Sequence, residues 1–442
     1  MKTAFCVLVL LAATAPPLLS SQTAVPPRKA PVTHHRAALS PTAVHRSALV
    51  IDTHADTPQR MLDDHYDLAE PLNGGYLNFA SAREGNLGAE FFSIWVDPTL
   101  YKGQYARRTL ELIDAVDQQA AAHPDRMMLA TTPEDILRAH RQHKLAALMG
   151  VEGGHSIENS LGLLRDYYRL GVRYMTLTWA NSNDWADSSG DSDDPTVHHT
   201  ADGLTDFGKD VVYEMNRLGM MVDISHVSDK TFYRTVITSR APVFASHSAA
   251  RALTSAPRNM TDDMLRAVAR SGGPNSHGGV VMVNFYSSFV SESWRAAWNA
   301  QASERQAAEN AQIAAWKAEG RTITYQMTNA LDRQWAAKIP RPPLSDLIDH
   351  IDHIAKVAGI DHVGLGSDFD GIPSTPEGLD SAADLPKITA ALMARGYSAE
   401  ECRKILGENF LRYFREVQAT AGQLQAEPDQ RPAIAAQQPF RK

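Results

Sequence analysis

Eight short apolar runs recur along the chain, and helix-length segments separate most of them. This alternation constrains the fold more than any other feature. Strands that are apolar on both faces, with helices between them, imply a parallel sheet covered by helices. Eight such strands predict an α/β protein with a closed (β/α)8 TIM-type barrel, and a doubly wound open sheet is the alternative. The runs are residues 48–52, 89–96, 145–151, 172–178, 220–225, 242–246, 279–284 and 362–366.

Segments with one apolar face lie between these runs. Clear examples are residues 160–170, 204–218 and 344–358, each followed by a glycine that can supply a left-handed cap. One connection is unusually long. After the seventh run, residues from about 286 to 343 carry four tryptophans among many Ala, Gln and Glu residues. They predict a helical insertion at the catalytic end of the barrel, where a lid and a dimer surface are equally compatible with the pattern.

The two ends of the chain differ in composition from its centre. Residues 1–23 have the basic start, short apolar run and small residues of a secretory signal peptide, and the run is too short to span a membrane. Residues 24–47 predict a flexible leader, 48–418 the catalytic barrel and 419–442 a disordered tail. We therefore expect an exported protein, periplasmic or secreted, with no membrane span. The net charge of −8 argues against nucleic acid as a partner.

Ionisable residues stand where five of the apolar runs end. The carboxyl ends of barrel strands meet on one face, which is where active sites of such barrels lie. Any one of these residues is more often a capping or hydrogen-bonded group. Carboxylates that converge from five strand ends would repel one another without cations between them, so the whole set favours a functional site. The residues are His54, Asp56, Glu152, His226, His247 and Asp368.

The residue types in this set indicate which metal they would bind. Imidazole and carboxylate without thiolate suit Zn²⁺ first and Mn²⁺ or Co²⁺ next. The five residues from His54 to His247 are too many for one tetrahedral zinc with an open position. The sequence therefore predicts two metal ions that share Glu152.

Six short motifs follow one another in a recognisable order. They are residues 51–56, 150–156, 225–228, 246–248, 258–259 and 364–371. Together they resemble the membrane (renal) dipeptidase family of zinc peptidases, and the likeness runs from about residue 49 to 414, interrupted by the insertion. The resemblance implies an amidohydrolase-type barrel with two zinc ions per chain. By position, His54 and Asp56 would hold one zinc, His226 and His247 the other, and Glu152 would bridge them.

The resemblance gives roles to two further residues. Arg258 matches the arginine that receives the C-terminal carboxylate of the substrate, and two parallel hydrogen bonds to that group would restrict the enzyme to very short substrates. Asp368 matches the catalytic acid/base. It would take the proton that a water loses when it ionises between the two zinc ions, and the resulting hydroxide would attack the peptide carbonyl. Asp368 would then pass the proton to the departing amine. We thus expect a binuclear zinc dipeptidase for small dipeptides, with C-terminal D-residues among the candidates. A homodimer, common in this family, is also expected.

One position departs from the family pattern. Trp179 stands where the mammalian members have a histidine that steadies the oxyanion. Its indole can donate a hydrogen bond to that oxyanion, or it can form a wall of the substrate pocket. Two other functions stay open. A related binuclear amidohydrolase could act on another small amide or lactone, leaving Arg258 without a carboxylate to bind. A non-catalytic exported peptide-binding protein is the other alternative, and Asp368 argues against it.

Overall fold

The computed structural model describes residues 39–200 and 202–427, together with Met1 and residues 12–13. The strands are β1 (Val50–Ala55), β2 (Leu87–Trp95), β3 (Met127–Leu129), β4 (Leu145–Glu152), β5 (Val172–Thr176), β6 (Met221–Asp223), β7 (Phe244–Ser248), β8 (Val280–Val283) and β9 (Val363–Leu365). The helices up to the eighth strand are α1 (Pro41–Ser47), α2 (Thr57–Asp63), α3 (Phe79–Glu84), α4 (Tyr105–Ala122), α5 (Pro133–Arg141), α6 (Leu161–Arg169), α7 (Asp206–Leu218), α8 (Asp229–Thr238) and α9 (Asp262–Ala269). Those after it are α10 (Ser287–Val290), α11 (Glu292–Ala300), α12 (Ala302–Ala318), α13 (Tyr325–Ala336), α14 (Leu344–Ala358), α15 (Leu385–Ala394), α16 (Ala399–Arg403) and α17 (Asn409–Ala426).

Eight of the strands close into a parallel barrel. Around the ring the order is β1, β2, β4, β5, β6, β7, β8 and β9, and β9 pairs with β1 again. Each of the eight predicted runs overlaps one barrel strand, so the predicted (β/α)8 barrel is confirmed. The short strand β3 was not predicted. It pairs with the first residues of β4, on the edge that β5 occupies further along.

Aromatic side chains fill the barrel and join it to the last helix. Phe91, Tyr174 and Phe244 are buried inside the ring and pack with Phe410 and Tyr413 of α17. The turn before α17 lies against the backbone just before β1, at the end where the strands begin. Helix α17 therefore seals the amino-terminal end of the barrel and leaves the opposite end for the site.

The predicted flexible leader, residues 24–47, is wrong at its inner end. Residues 41–47 form helix α1, in which Val44 and His45 are buried. Ser40 caps this helix, because its Oγ accepts a hydrogen bond from the backbone nitrogen of Ala43 at 3.2 Å. Pro41 begins this helix, because proline is tolerated in a first helical turn, where its missing N–H would have no partner.

The predicted disordered tail, residues 419–442, also begins too early. Helix α17 continues to Ala426, with Ala421 and Leu424 buried. Alanine and glutamine, which suggested low complexity, are also good helix formers, and the buried residues extend the apolar face of α17. The signal-peptide prediction for residues 1–23, the rest of the leader and residues 428–442 lie almost wholly outside the described residues.

The long connection after β8 consists of helices that cover the carboxyl ends of the strands. Trp294 and Trp298 stack with ring centres 5.3 Å apart in a small cluster of their own. Asn329 of α13 donates a hydrogen bond to the backbone oxygen of Asp370 at 3.0 Å, which places α13 beside the loop that follows β9. Among the described residues, no helix is both long and apolar enough to cross a membrane.

Candidate metal centre

The carboxyl ends of the barrel strands bring five of the predicted residues together. His54 lies near the end of β1, Glu152 is the last residue of β4, and His247 lies in β7. Asp56 immediately follows β1, and His226 follows β6 by three residues. All five are buried, with exposed fractions of 9 % or less. Because the strands are parallel, residues far apart in sequence reach the same end of the barrel.

Glu152 lies at the centre of this cluster. Its Oε2 is 3.2 Å from Nε2 of His54, and its Oε1 is 2.8 Å from Nε2 of His226 and 3.5 Å from Nε2 of His247. The carboxylate of Asp56 approaches the same nitrogen of His54 at 3.5 Å. Three imidazole nitrogens thus surround one carboxylate, whose two oxygens face different histidines.

Asp368 joins the cluster from the loop after β9. Suitable ligand atoms of His54, Asp56 and Asp368 lie within 4.8 Å of one another, as do those of His54, Glu152 and His247. Asn284 donates a hydrogen bond to Oδ2 of Asp368 at 2.8 Å. Asp368 has a left-handed backbone with φ of 64°, a conformation that aspartate tolerates better than most residues.

The loop that carries Asp368 needs a glycine three residues later. A Cβ atom on Gly371 would lie 2.1 Å from Oδ2 of Asp56 and 2.7 Å from Oδ1 of Asp368. Both distances are far shorter than a van der Waals contact. Gly371 therefore allows the two carboxylates to approach the same point.

Burial and neighbouring charges shift the pKa values of the carboxyl groups in opposite directions. Burial raises the pKa of Asp56 to about 7, and the nearby Glu152 and Asp368 act in the same direction. Burial also opposes ionisation of Glu152, but the three surrounding histidines outweigh it and hold the pKa of this group well below its usual value. The cluster therefore concentrates negative charge that favours a cation at its centre.

Two of the histidines have pKa values below the usual value for this residue. Burial and the charge of Arg258 lower the pKa of His226 to about 3, and burial with the charge of His54 lowers the pKa of His247 well below its usual value. Both rings are therefore neutral near pH 7, which is the form that binds metals. Their Nε2 atoms lie 3.0 Å apart and both face Glu152.

These residues fit a divalent metal. Nε2 of His54 is buried and has no hydrogen-bond partner among the described residues, although it faces two carboxylates. Imidazole and carboxylate ligands suit Zn²⁺, Mn²⁺ and Co²⁺. Metal binding requires neutral histidines and ionised carboxylates. His226, His247 and Glu152 favour these states. In His54, burial is outweighed by Tyr174, Glu152 and Asp56, which raise its pKa well above the usual value, so His54 would release a proton when a metal binds.

Hydrogen bonds from residues of the barrel strands orient two of the histidines and the glutamate. Nδ1 of His54 is 2.7 Å from the hydroxyl of Tyr174, and Nδ1 of His247 is 2.7 Å from Oγ of Ser246. Ser93 donates to Oε2 of Glu152 at 2.9 Å. None of these three residues was predicted from the sequence. Ser246 directly precedes the predicted ligand His247, and this position could have indicated that it supports the ligand. Tyr174 and Ser93 lie inside strands and look like ordinary core residues.

Arg258 lies at the edge of the cluster, after β7. Its Nη1 donates to Oγ of Ser248 at 3.2 Å, and its Nη2 donates to the backbone oxygen of His247 at 3.1 Å. Its Nε is buried and has no partner within the described part of the chain. Burial lowers the pKa of Arg258 to about 10, so the guanidinium is still charged at neutral pH. The side chain offers a positive charge beside the metal ligands.

Trp179 lies on another side of the site. Its ring centre is 6.3 Å from that of His226 and 4.7 Å from that of Trp95, the last residue of β2. The indole is partly exposed and packs against an aromatic neighbour. The ring therefore lies between Trp95 and the candidate ligand His226.

The fold and this site define a class: metal-dependent hydrolases built on a parallel barrel, with ligands from the carboxyl ends of the strands. The family model of membrane dipeptidase, peptidase family M19, matches residues 40–428. The chain therefore belongs to the membrane dipeptidase family. Its activity is that of a metal-dependent dipeptidase, as the sequence predicted.

Individual relatives agree with this assignment. The dipeptidase tcpJ of Claviceps purpurea (strain 20.1) is 32% identical over 369 residues, which are 81% of this chain and 73% of the relative. The probable dipeptidase PvdM from Pseudomonas aeruginosa superposes with a TM-score of 0.71 at 25% identity, over 86% of this chain and 98% of PvdM. Dipeptidase AC, a metallopeptidase of family M19, superposes with a TM-score of 0.65 at 26% identity, over 84% of this chain and 98% of that one.

Proposed function

We propose that the site binds two zinc ions and cleaves small dipeptides that have a free C-terminal carboxylate. His54 and Asp56 would hold one ion, His226 and His247 the other, and Glu152 would bridge them. The single observation that carries this assignment is the position of Glu152, whose two oxygens face His54 on one side and the pair of His226 and His247 on the other. Bound zinc ions supply Lewis-acid polarisation and lower the pKa of water.

The side chains of this chain have separate tasks in the proposed reaction. The carboxylate of Asp368 lies beside Asp56 and His54, and the residue is partly exposed. It accepts a proton from the attacking water and returns it to the amine that leaves. Asn284 fixes this carboxylate through a hydrogen bond to Oδ2, so the proton moves through the remaining oxygen.

Arg258 selects the length of the substrate. A guanidinium can donate two parallel hydrogen bonds to one carboxylate. The hydrogen bond to the backbone of His247 holds the guanidinium beside the proposed metal site, which supports a substrate carboxylate one residue away from the reacting bond, as in a dipeptide. The guanidinium recognises the carboxylate and not the configuration of the residue that carries it, so dipeptides with a C-terminal D-residue are included among the proposed substrates.

A comparison of a dipeptide with its C-terminal amide tests this proposal. We expect zinc-loaded wild type to cleave L-Ala-L-Ala with a kcat/KM about 10- to 100-fold above that for L-Ala-L-Ala-amide, because a charge-assisted contact with Arg258 is worth about 1.5–3 kcal/mol. Arg258→Met should lose this preference by slowing cleavage of the free dipeptide. Arg266→Met, which removes an arginine from the surface of α9, should leave both rates unchanged. Equal rates for wild type on the two substrates would contradict the role of Arg258 and favour hydrolysis of another small amide or lactone.

Ser246 should control metal affinity through His247. The ring Nδ1–H of His247 can donate to Oγ of Ser246, which itself donates to the buried carboxylate of Asp223 at 2.6 Å. This chain fixes the tautomer that leaves Nε2 free for metal. Ser246→Ala is therefore expected to weaken zinc binding about 10- to 100-fold in a competition titration with a metal indicator.

The matched control for Ser246→Ala is Ser271→Ala, another buried serine, which bonds to the backbone of Val268 and Val243. The control should leave zinc affinity unchanged. The same loss in both variants would show that the effect is general destabilisation and not orientation of His247.

A further inference from the structure

Three aromatic side chains pack together beside the candidate metal centre, and we call them the aromatic wall. Trp95 ends β2, Trp179 follows β5 by three residues, and Tyr325 begins α13. The ring of Trp95 lies between the other two, with ring centres 4.7 Å from Trp179 and 4.7 Å from Tyr325. Trp179 continues this wall to His226 of the proposed metal site.

Tyr325 comes from the insertion, and two hydrogen bonds hold its helix over the site. Its hydroxyl donates to the backbone oxygen of Gly371 at 2.8 Å, and Asn329, one turn later, donates to that of Asp370 at 3.0 Å. Both acceptors belong to the loop that carries Asp368. The phenol is thus fixed beside the reacting groups, and burial together with the charges of Asp56 and Asp368 raises its pKa well above the usual value.

Trp95, the middle residue of the wall, lies across the barrel from Arg258. In the ring of eight strands, β2 is four strands away from β7 in either direction. Trp95 ends β2, and Arg258 follows β7 and binds its last residues. A dipeptide that crosses the metal site with its carboxylate on Arg258 therefore points its N-terminal residue toward the aromatic wall.

We propose that Tyr325 is a specificity-determining residue that, with Trp95 and Trp179, encloses the side chain of the N-terminal residue of the substrate and favours large apolar side chains there. This inference rests on the proposed function, because it requires Arg258 to bind the substrate carboxylate. The surfaces of three packed aromatic rings gain contact area as the substrate side chain grows. The insertion thus acts as part of the substrate pocket.

Steady-state kinetics on two matched substrate series test the proposal. The first series varies the N-terminal residue (Ala-Ala, Leu-Ala, Phe-Ala), and the second varies the C-terminal residue (Ala-Leu, Ala-Phe). In Tyr325→Ala we expect the ratio of kcat/KM for Phe-Ala over Ala-Ala to fall about 10-fold, mainly through KM, while the ratio for Ala-Phe over Ala-Ala stays constant. Tyr325→Phe, which keeps the ring, should retain the wild-type ratios.

A second variant keeps the test decisive if Tyr325→Ala does not fold. Tyr325→Trp adds volume at the mouth of the pocket and should shift the preference toward small N-terminal residues, the opposite direction. The control is Trp316→Ala, which removes a buried aromatic residue from α12 of the same insertion without touching the wall. It should leave all substrate ratios unchanged.

The outcomes distinguish a failure of this proposal from a failure of the proposed function on which it rests. If the Tyr325 variants change kcat/KM equally for every substrate, Tyr325 has a structural role only and the inference is overturned. If zinc-loaded wild type cleaves none of the dipeptides, the proposed function is contradicted. The inference about Tyr325 is then overturned with it, because it requires a dipeptide substrate.

Discussion

Asp368→Ala should abolish measurable dipeptide hydrolysis, with kcat at least about 100-fold and up to 10,000-fold below wild type, while zinc content stays at about two ions per chain. The size of the loss is that of a missing general acid/base. Nearby carboxylates remain, but Asp56 is directed at His54, and both Asp56 and Glu152 are buried, whereas Asp368 is partly exposed. Hydrolysis of L-Ala-L-Ala and metal analysis of the same preparations would measure both quantities.

Metal content decides how this result is interpreted. The ligand atoms of Asp368 are close enough to His54 and Asp56 to share a metal with them. Loss of one zinc together with activity would therefore make Asp368 a ligand and contradict its assignment as acid/base. Asp361→Asn is the matched control. Asp361 is exposed, precedes the first residue of β9 and forms an ion pair with Lys404. It should retain full activity and both metal ions.

Glu152→Gln should remove both activity and bound zinc. The amide has nearly the shape of the carboxylate but lacks the charge that faces three histidines, so both proposed ions lose their shared ligand. We expect kcat/KM to fall at least about 1,000-fold. We also expect the thermal stabilisation of wild type by added zinc, about 2.7 kcal/mol at a free concentration 100-fold above Kd, to disappear in the variant. Calorimetric unfolding with and without zinc would measure it.

Glu90→Gln is a demanding control for this result. Glu90 is also a fully buried carboxyl group in the barrel, and burial with the charge of Asp52 raises its pKa well above the usual value. The raised pKa favours its uncharged form, so the amide changes the charge at Glu90 less than it does at Glu152. Retention of zinc in this variant and its loss in Glu152→Gln would assign the effect to the bridging position. Retention of zinc in both would contradict the proposed ligand set.

The sequence predicted the barrel well because each strand is an isolated apolar run between helices. Its errors have physical causes. The run at 220–225 exceeds β6, because the chain leaves the sheet after Asp223 and turns at His226, whose φ is 66°. Strand β3 was missed because three residues are too few for a periodic pattern, and one of its residues, Leu129, is exposed.

The candidate site was predictable to the extent that parallel strands bring their carboxyl ends together. The six ionisable residues predicted at strand ends do lie close to one another at the carboxyl ends of the strands. The groups that hydrogen-bond to these residues were not predictable, because Tyr174 is a buried aromatic residue of β5 and looks like any other core residue. Tyr325 could not be predicted either, since its place beside Trp95 depends on how the inserted helices fold back over the barrel.

The ring closes between β1 and β9, which join the beginning of the catalytic sequence to a segment more than three hundred residues later. His54 is on the first of these strands and Asp368 just beyond the second, and α17 must still pack below them. No partial fold of the chain can present the complete set of ligands. Uptake of zinc during refolding would therefore report the final step of assembly, and the slow formation of such distant contacts would set its rate.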